Sequence, residues 1–323
     1  MIDRAENCSR NERRVACVAG ATIPMRGYVG DACRAIFGRE VSVNRVARFS
    51  GVASRGLAGC LLVTVMAACG KSEPTYSGIS VIAHNYLPYN LDGFTITDAH
   101  GNKAGGGNSL PGGGGGVTCC YRLQGTAFTV KWNYVDVDQW HKGNEETLHG
   151  EAKATLSPSP VPEKVGDRIL EVHFYPDRHV ELQFPGALLD ESRIPMIDVS
   201  RWMASRYQTQ LSKRYDERED QQYRRIARTV AAAWLKYRLT DVDDLEQYAY
   251  FDLLVNSRFD AHPAVQSTLK AASGKPGTFA TSMQTLPNST LSELKSNKFA
   301  AVAVPLVPAG LLPPPRVEAK QHG

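Results

Sequence analysis

From Ser77 the chain alternates apolar and polar positions. Ile79, Val81 and Ala83 share one side, a spacing that predicts a half-buried strand ending near Asn85. After a turn over 90–93, the run Phe94-Thr95-Ile96-Thr97 predicts a second strand. A third covers 117–123 with Val117, Cys119, Tyr121 and Leu123 on one face. A fourth covers 126–134, where Phe128, Val130, Trp132 and Tyr134 fall together. The stretch 147–156 is weaker and polar, which suits a sheet edge. Residues 169–175 and 179–184 read as a hairpin about Pro176-Asp177-Arg178. These seven short strands, separated by turn residues, predict an antiparallel β-sandwich-like domain over 76–186, with Pro158, Pro160 and Pro162 in an extended loop.

The period then changes. Residues 198–239 contain no Gly or Pro, and Tyr223, Ile226, Val230, Trp234 and Tyr237 recur every three or four positions, so one or two amphipathic helices are expected. Thr240-Asp241-Val242-Asp243 resembles a capping box with Thr240 as the cap, opening a helix that runs to about Asn256. Another helix is expected from Pro263 to Ala272, ended by Gly274. Together these define a small all-α module over 198–273 and an α+β chain. From Thr285 the sequence turns polar and then proline-rich, with Pro305, Pro308, Pro313, Pro314 and Pro315, which predicts a poorly ordered tail over 285–323.

Upstream of all this, Arg45, Arg48 and Arg55 precede an apolar run at 57–66, and small residues lead into Cys69. The run is shorter than the roughly 20 apolar residues that cross a bilayer, and its flanks are those of a secretory signal. Met66-Ala67-Ala68-Cys69 resembles the lipobox of bacterial lipoproteins, in which the cysteine is diacylated. Leu57-Ala58-Gly59-Cys60 spells that consensus more closely but has no apolar segment before it, so Cys69 is the expected lipidation site. Residues 1–69 are accordingly a signal and lipobox region with an extended or spurious N-terminus. Gly70, rather than Asp, follows the cysteine, which by resemblance to sorting rules implies the outer membrane.

Processing at Cys69 changes the charge. The whole chain is +4, but residues 1–68 hold ten arginines against five acids, and the remainder has 27 basic and 28 acidic residues, net −1. A near-neutral mature chain has no electrostatic footprint for nucleic acid. Of seven cysteines, only Cys69, Cys119 and Cys120 remain, and a lipidated Cys69 cannot pair. The periplasm permits disulfides, which leaves the adjacent pair.

Few residues carry chemistry. The glycine block at 105–107 and 112–116 leads into a strand, without the Gly-Lys-Ser/Thr and helix of a phosphate loop. Its glycines suit a tight connection, or the approach of one backbone to another. Cys119-Cys120 lacks the spacer of thioredoxin-like motifs, and strand alternation would send the two thiols to opposite faces. A vicinal disulfide and two separate thiols both stay open. His173 and His179 flank a turn beside Asp177, but two histidines without a third ligand make no metal site. Asp136 and Asp138 read as exposed strand-end acids. The arginines of 214–228 are balanced by Asp216, Glu217, Glu219 and Asp220, the pattern of a solvated, ion-paired face. Gly107-Asn108-Ser109-Leu110-Pro111-Gly112 is one residue too long for a hydrolase nucleophile elbow. No cofactor, metal or catalytic set is expected, and the chain is read as a non-enzyme.

Gly105-Gly106-Gly107-Asn108, the glycines 113–116, Cys119-Cys120, the strand around Val130-Lys131-Trp132 and the hairpin His173-Phe174-Tyr175-Pro176-Asp177 are similar to a proteobacterial lipoprotein family of unknown function, often encoded beside type VI secretion genes. The resemblance covers about 76–184. It implies a membrane-anchored periplasmic lipoprotein with a protein partner, such as an immunity protein against a secreted effector. Gly105, Gly106, Gly107 and Asn108 would form the motif loop that binds. An envelope structural or secretion-accessory lipoprotein is the alternative, and a thiol-dependent enzyme a minor one.

Overall fold

The computed structural model describes residues 73–157, 162–164, 167–184 and 192–314. The lipobox, Cys60 and Cys69 lie outside the described residues.

The alternating segments form two four-stranded sheets. The first runs in the order β4 (Thr118–Gln124), β1 (Thr75–Asn85), β7 (Ile169–Phe174), β8 (Val180–Gln183). The second runs β3 (Lys103–Gly106), β2 (Asn90–Thr97), β5 (Ala127–Val135), β6 (Thr147–Thr155). Val81, Ala83, Leu170, Val172 and Phe174 of the first sheet meet Phe94, Ile96, Val130 and Trp132 of the second in one core, where Phe174 makes edge contacts with Phe94 and Trp132. β6 takes the edge position its polarity predicted. One pair departs from the antiparallel expectation: β1 and β7 are parallel. A parallel pair needs a long crossover, and here the whole second sheet, together with β4, lies within it.

The turn expected at 90–93 falls earlier in the chain. Residues 90–93 open β2, with a bulge between Leu91 and Gly93. The reversal occupies 86–89 instead. Buried Asn85 fixes it, donating to the Tyr89 and Ser109 carbonyls and accepting from the Leu87 N–H.

The helical module follows as α2 (Met196–Tyr215), α3 (Glu219–Tyr237), α4 (Val242–Tyr250, continued as a π-turn over Phe251–Val255), α5 (Pro263–Ala272), α6 (Thr278–Gln284) and α7 (Asn288–Ser296); a short α1 (Val137–Trp140) sits in the sandwich domain. The helical cap at α4 is Asp241, whose carboxylate accepts from the Asp243 and Asp244 N–H groups, rather than Thr240. A carboxylate facing the helix N-terminus gains from the dipole as well as the bonds. Among the described residues no helix is long and apolar enough to cross a membrane.

The poorly ordered tail expected from Thr285 is corrected over 285–314. Residues 288–296 form α7, with Leu294 fully buried. Beyond it, the Val302 N–H donates to the Ala261 carbonyl, Phe299 packs on His262, and Leu312 joins the helical core. Prolines forbid a helix here but not an extended chain lying on apolar residues. Residues 315–323 lie outside the described residues.

Helices cover the first sheet over the ends of β1 and β7, whereas β4 stays largely exposed. Tyr86 and Tyr175 share one apolar cluster with Ile194, Met196, Val230 and Trp234. Beside it lies a buried ionic lattice. Arg224 donates through Nε and Nη2 to Asp138 Oδ1 at 2.9 and 2.7 Å, and Arg228 pairs with Asp136 and Asp138 at 2.9 and 2.7 Å. Asp136 and Asp138 are therefore not the exposed acids expected: Asp138 is 2% exposed, and Asp136 caps α1. The arginine face of α3 is ion-paired as expected, but Arg224 is buried rather than solvated.

Two predictions follow from these buried charges. Asp138→Ala removes the buried carboxylate shared by two arginines, leaving Arg224 with Asp220 and Arg228 with Asp136, so thermal or urea denaturation should show a loss of about 3 kcal/mol. Burial pushes the Asp252 carboxyl up to about 6. Its folded-state value exceeds the unfolded one, so the folded chain holds the proton more tightly. Stability should fall as pH rises from about 4 to 6, by about 3 kcal/mol. Urea titrations of Asp252→Asn should lose that slope and show higher stability at pH 7.5.

Candidate functional site

The second sheet turns its outer face to solvent. Because β2, β5 and β6 are paired without offset over their middles, Thr95, Lys131 and Glu151 form one rung across three strands, and Thr97, Thr129 and Lys153 form the next. Lys131 Nζ stands 3.3 Å from Glu151 Oε2, Lys153 donates to Thr129 Oγ1 at 2.6 Å, and His149 meets Asn133 at 2.7 Å. Thr95, Thr97, Lys103, Lys131, Asn133 and Glu151 line an open cleft of about 870 Å³. Its groups are hydroxyls, amides, ammoniums and one carboxylate, suited to hydrogen bonding across a broad contact.

The four motif-loop residues do not form one site. Gly105 and Gly106 are the end of β3, a strand the sequence hid, and pair with Thr95 and Phe94. A Cβ at Gly105 would lie 2.5 Å from the Phe94 carbonyl oxygen, and one at Gly106 would lie 2.6 Å from the Phe94 ring. Gly105 lets backbone approach backbone, one of the readings the sequence allowed, and Gly106 makes room for an aromatic ring. Gly106 reaches the cleft rim, whereas Asn108 is exposed on the following loop.

The later glycines extend the first sheet. Gly115 N–H donates to the Ala83 carbonyl, Gly112 N–H donates to the Asn85 carbonyl, and Asn85 N–H donates to the Gly113 carbonyl. Gly112 has φ +75°, and a side chain there would meet Met196 at 2.6 Å, so the loop seats directly on the start of α2. Tyr223 donates to the Pro111 carbonyl from α3. The block is a brace between sheet and helices.

Cys119 and Cys120 are both exposed on β4, and their sulfurs lie 2.7 Å apart. Strand alternation predicted opposite faces. The β1–β4 ladder shifts register on either side of Ile79: Ile79 pairs with Tyr121, Ser80 with Cys119, and the ladder skips Cys120, an irregularity that breaks the alternation. The Cys120 contact pushes the Cys119 thiol up. A raised thiol is less ionised at neutral pH, the reverse of an activated nucleophile.

His173 and His179 are not brought together. His179 is half exposed, stacks on Tyr175 at 4.1 Å and bonds Asp177. His173 is only 1% exposed, and parallel strand pairing sets it beside His84, with ring centroids 4.6 Å apart and planes within 10°. Glu171 lies two residues before His173 on the same face. Its Oε2 is 3.3 Å from His173 Nε2, and its Oε1 is 3.7 Å from His84 Nε2. The Tyr86 hydroxyl sits 3.3 Å from His173 Nδ1 and accepts the Arg193 N–H at 3.1 Å. Burial lowers the pKa of both imidazoles, that of His173 to about 3, with Arg193 adding to the effect. Sequence reasoning missed His84 and Glu171. The Glu171-Val172-His173 alternation was the available signal, but it became informative only once β1 was known to lie beside β7.

The described residues thus make an α+β chain with an open polar sheet face and a buried His–Glu–His cluster. No protein-family model and no curated protein matches the chain. Among solved structures it is similar to an NMR structure of a protein from Eubacterium rectale, at 11% identity over 35% of this chain and 94% of that one, with a TM-score of 0.19. That distant likeness assigns neither family nor activity.

The thiol geometry gives a direct test. Mild oxidation of the native chain should remove two hydrogens from the Cys119–Cys120 peptide without forming disulfide dimers, as read by mass spectrometry. Cys120→Ser should divert Cys119 into intermolecular disulfides.

Proposed function

We propose that the chain is an envelope lipoprotein, tethered through Cys69 and facing the periplasm from the outer membrane, that binds a protein partner on the open face of the second sheet. The partner is a secreted antibacterial effector of a type VI system, which the lipoprotein neutralises. The observation that carries this reading is the contrast between the two sheets. Around the first sheet, Glu181 of β8 pairs with Arg193, and Arg224 and Arg228 of the covering helix α3 are engaged with the buried Asp136 and Asp138 beyond β5. On the second, Lys103, Lys131 and Glu151 stand on a solvent-open cleft with threonines between them. Mixed charge on a flat strand surface suits a wet, polar protein interface, where such groups set specificity and encounter rate. The family resemblance in the glycine block and Cys-Cys pair, and the lipobox before them, supply the address and the genetic context.

Co-expression with the neighbouring effector gene should protect the cell, and the lipoprotein should capture the effector in pull-down. Replacing Lys103 and Lys131 together by Glu should weaken capture at least tenfold, about 1.4 kcal/mol, with an unchanged melting temperature. Equal capture by that variant would remove the sheet face from the reading. For the tether, palmitate labelling should be lost in Cys69→Ala, whereas label that survives there but disappears in Cys60→Ala would move the anchor to Cys60.

A further inference from the structure

We propose that His84, Glu171 and His173 bind a divalent transition metal of the zinc class, which staples the outer face of the first sheet beneath its helical cover. The fold brings the three residues together by simple register. Glu171 and His173 are two apart on β7 and so point to the same side, and His84 is the parallel-strand partner of His173 on the middle strand β1. One ligand atom from each lies within 4.8 Å of the others, and all three residues are buried.

Each histidine stands near coordination-shell distance from one of the two Glu171 oxygens, and the full set of ligand atoms falls within 4.8 Å. Bonds of 2.0–2.2 Å to a tetrahedral ion place ligand atoms roughly 3.3–3.5 Å apart. The observed separations are 3.3 Å for His173 Nε2 to Glu171 Oε2 and 3.7 Å for His84 Nε2 to Glu171 Oε1. Two imidazoles and a carboxylate are a donor set that zinc and iron sites use, leaving a position for water. Closing on one ion requires the two rings to tilt from their present stack, a rotation about side-chain bonds with no change of strand pairing.

Two further observations point the same way. His84 is 9% exposed, and its Nε2 makes no hydrogen bond, although buried ring nitrogens ordinarily have a partner. It faces the Glu171 carboxylate at a distance too long for hydrogen bonding and suited to a shared ion. The second ring nitrogen of His173 is engaged by the Tyr86 hydroxyl, which the Arg193 backbone N–H holds in turn. Metal-bound histidines commonly have their outer nitrogen fixed in this way. Arg193 lies three residues before α2, so an ion here would tie the sheet to the start of the helical module.

The test uses the full chain, purified without chelator, with thiols alkylated by N-ethylmaleimide so that Cys119 and Cys120 do not compete. After stripping and incubation with zinc chloride, atomic spectrometry should find one zinc per chain, and the melting temperature should rise. His84→Gln and Glu171→Gln should each lower zinc affinity at least a hundredfold, and Tyr86→Phe about tenfold. X-ray absorption of the wild-type zinc form should show a nitrogen and oxygen shell with imidazole scattering, which keeps the test open if a variant fails to fold. Substoichiometric zinc with no thermal shift, zinc retained fully by His84→Gln, or a shell containing sulfur would each overturn the site.

Discussion

The structure depends on a strand that has no solvent side. β7 is buried along its whole length: Leu170, Val172 and Phe174 face the sandwich core, and Glu171 and His173 face the helices. An ordinary antiparallel sandwich leaves one face of each sheet in water. Here the helical module covers the outer side of β7 and the adjoining end of β1, so the polar groups beneath it need partners inside the protein. That requirement accounts for the histidine stack, the Tyr86 and Arg193 contacts, and the pairing of Arg193 with Glu181 and Gln183. Among the described residues, nothing roofs the strand centres of its counterpart, the second sheet, which keeps a solvated ladder of Thr, Lys and Glu.

The roof is held by chemistry of two kinds. Trp234 packs on Tyr175, while Arg224 and Arg228 reach from the same helix to the carboxylates beyond β5. Burial of apolar area supplies the drive, and ionic groups supply registration, because a misplaced helix would leave charges without partners. The glycine loop adds a third constraint by seating at the foot of α2, where only a residue without a side chain fits against Met196.

How much of this was legible follows from range. The strands of the sandwich and helices α2 to α5 announce themselves because their periodicity is local. Pro263 and Gly274 bracket α5 as their chemistry dictates. β3 was hidden because half of it is glycine, which carries no apolar signal. The tail was misread because its order comes from Ala261, His262 and the helical core, not from its own sequence. Asp138 looked like a surface acid because the guanidinium that justifies its burial lies 86 residues away. The His–Glu–His cluster failed for the same reason: β1 and β7 are neighbours only in space, with the second sheet's strands between them in sequence.

This separation of surfaces bears on the two proposals. A partner docking on the second sheet meets exposed residues whose contacts are pairs along the same face, such as Lys131 with Glu151 and Lys153 with Thr129, so that face can change to match a new partner with little effect on the core. The buried cluster has the opposite character, since His84, Glu171, His173, Tyr86 and Arg193 constrain one another and the start of α2. A metal there would act on stability and on the seating of the helices, while recognition is read from the far sheet. Linkage between them would pass through Phe174, which touches Phe94 and Trp132 on one side of the core and is the neighbour in sequence of His173. Packed interiors transmit displacement rather than absorb it, so a shift of His173 on coordination has a direct mechanical path to the strands beneath the cleft.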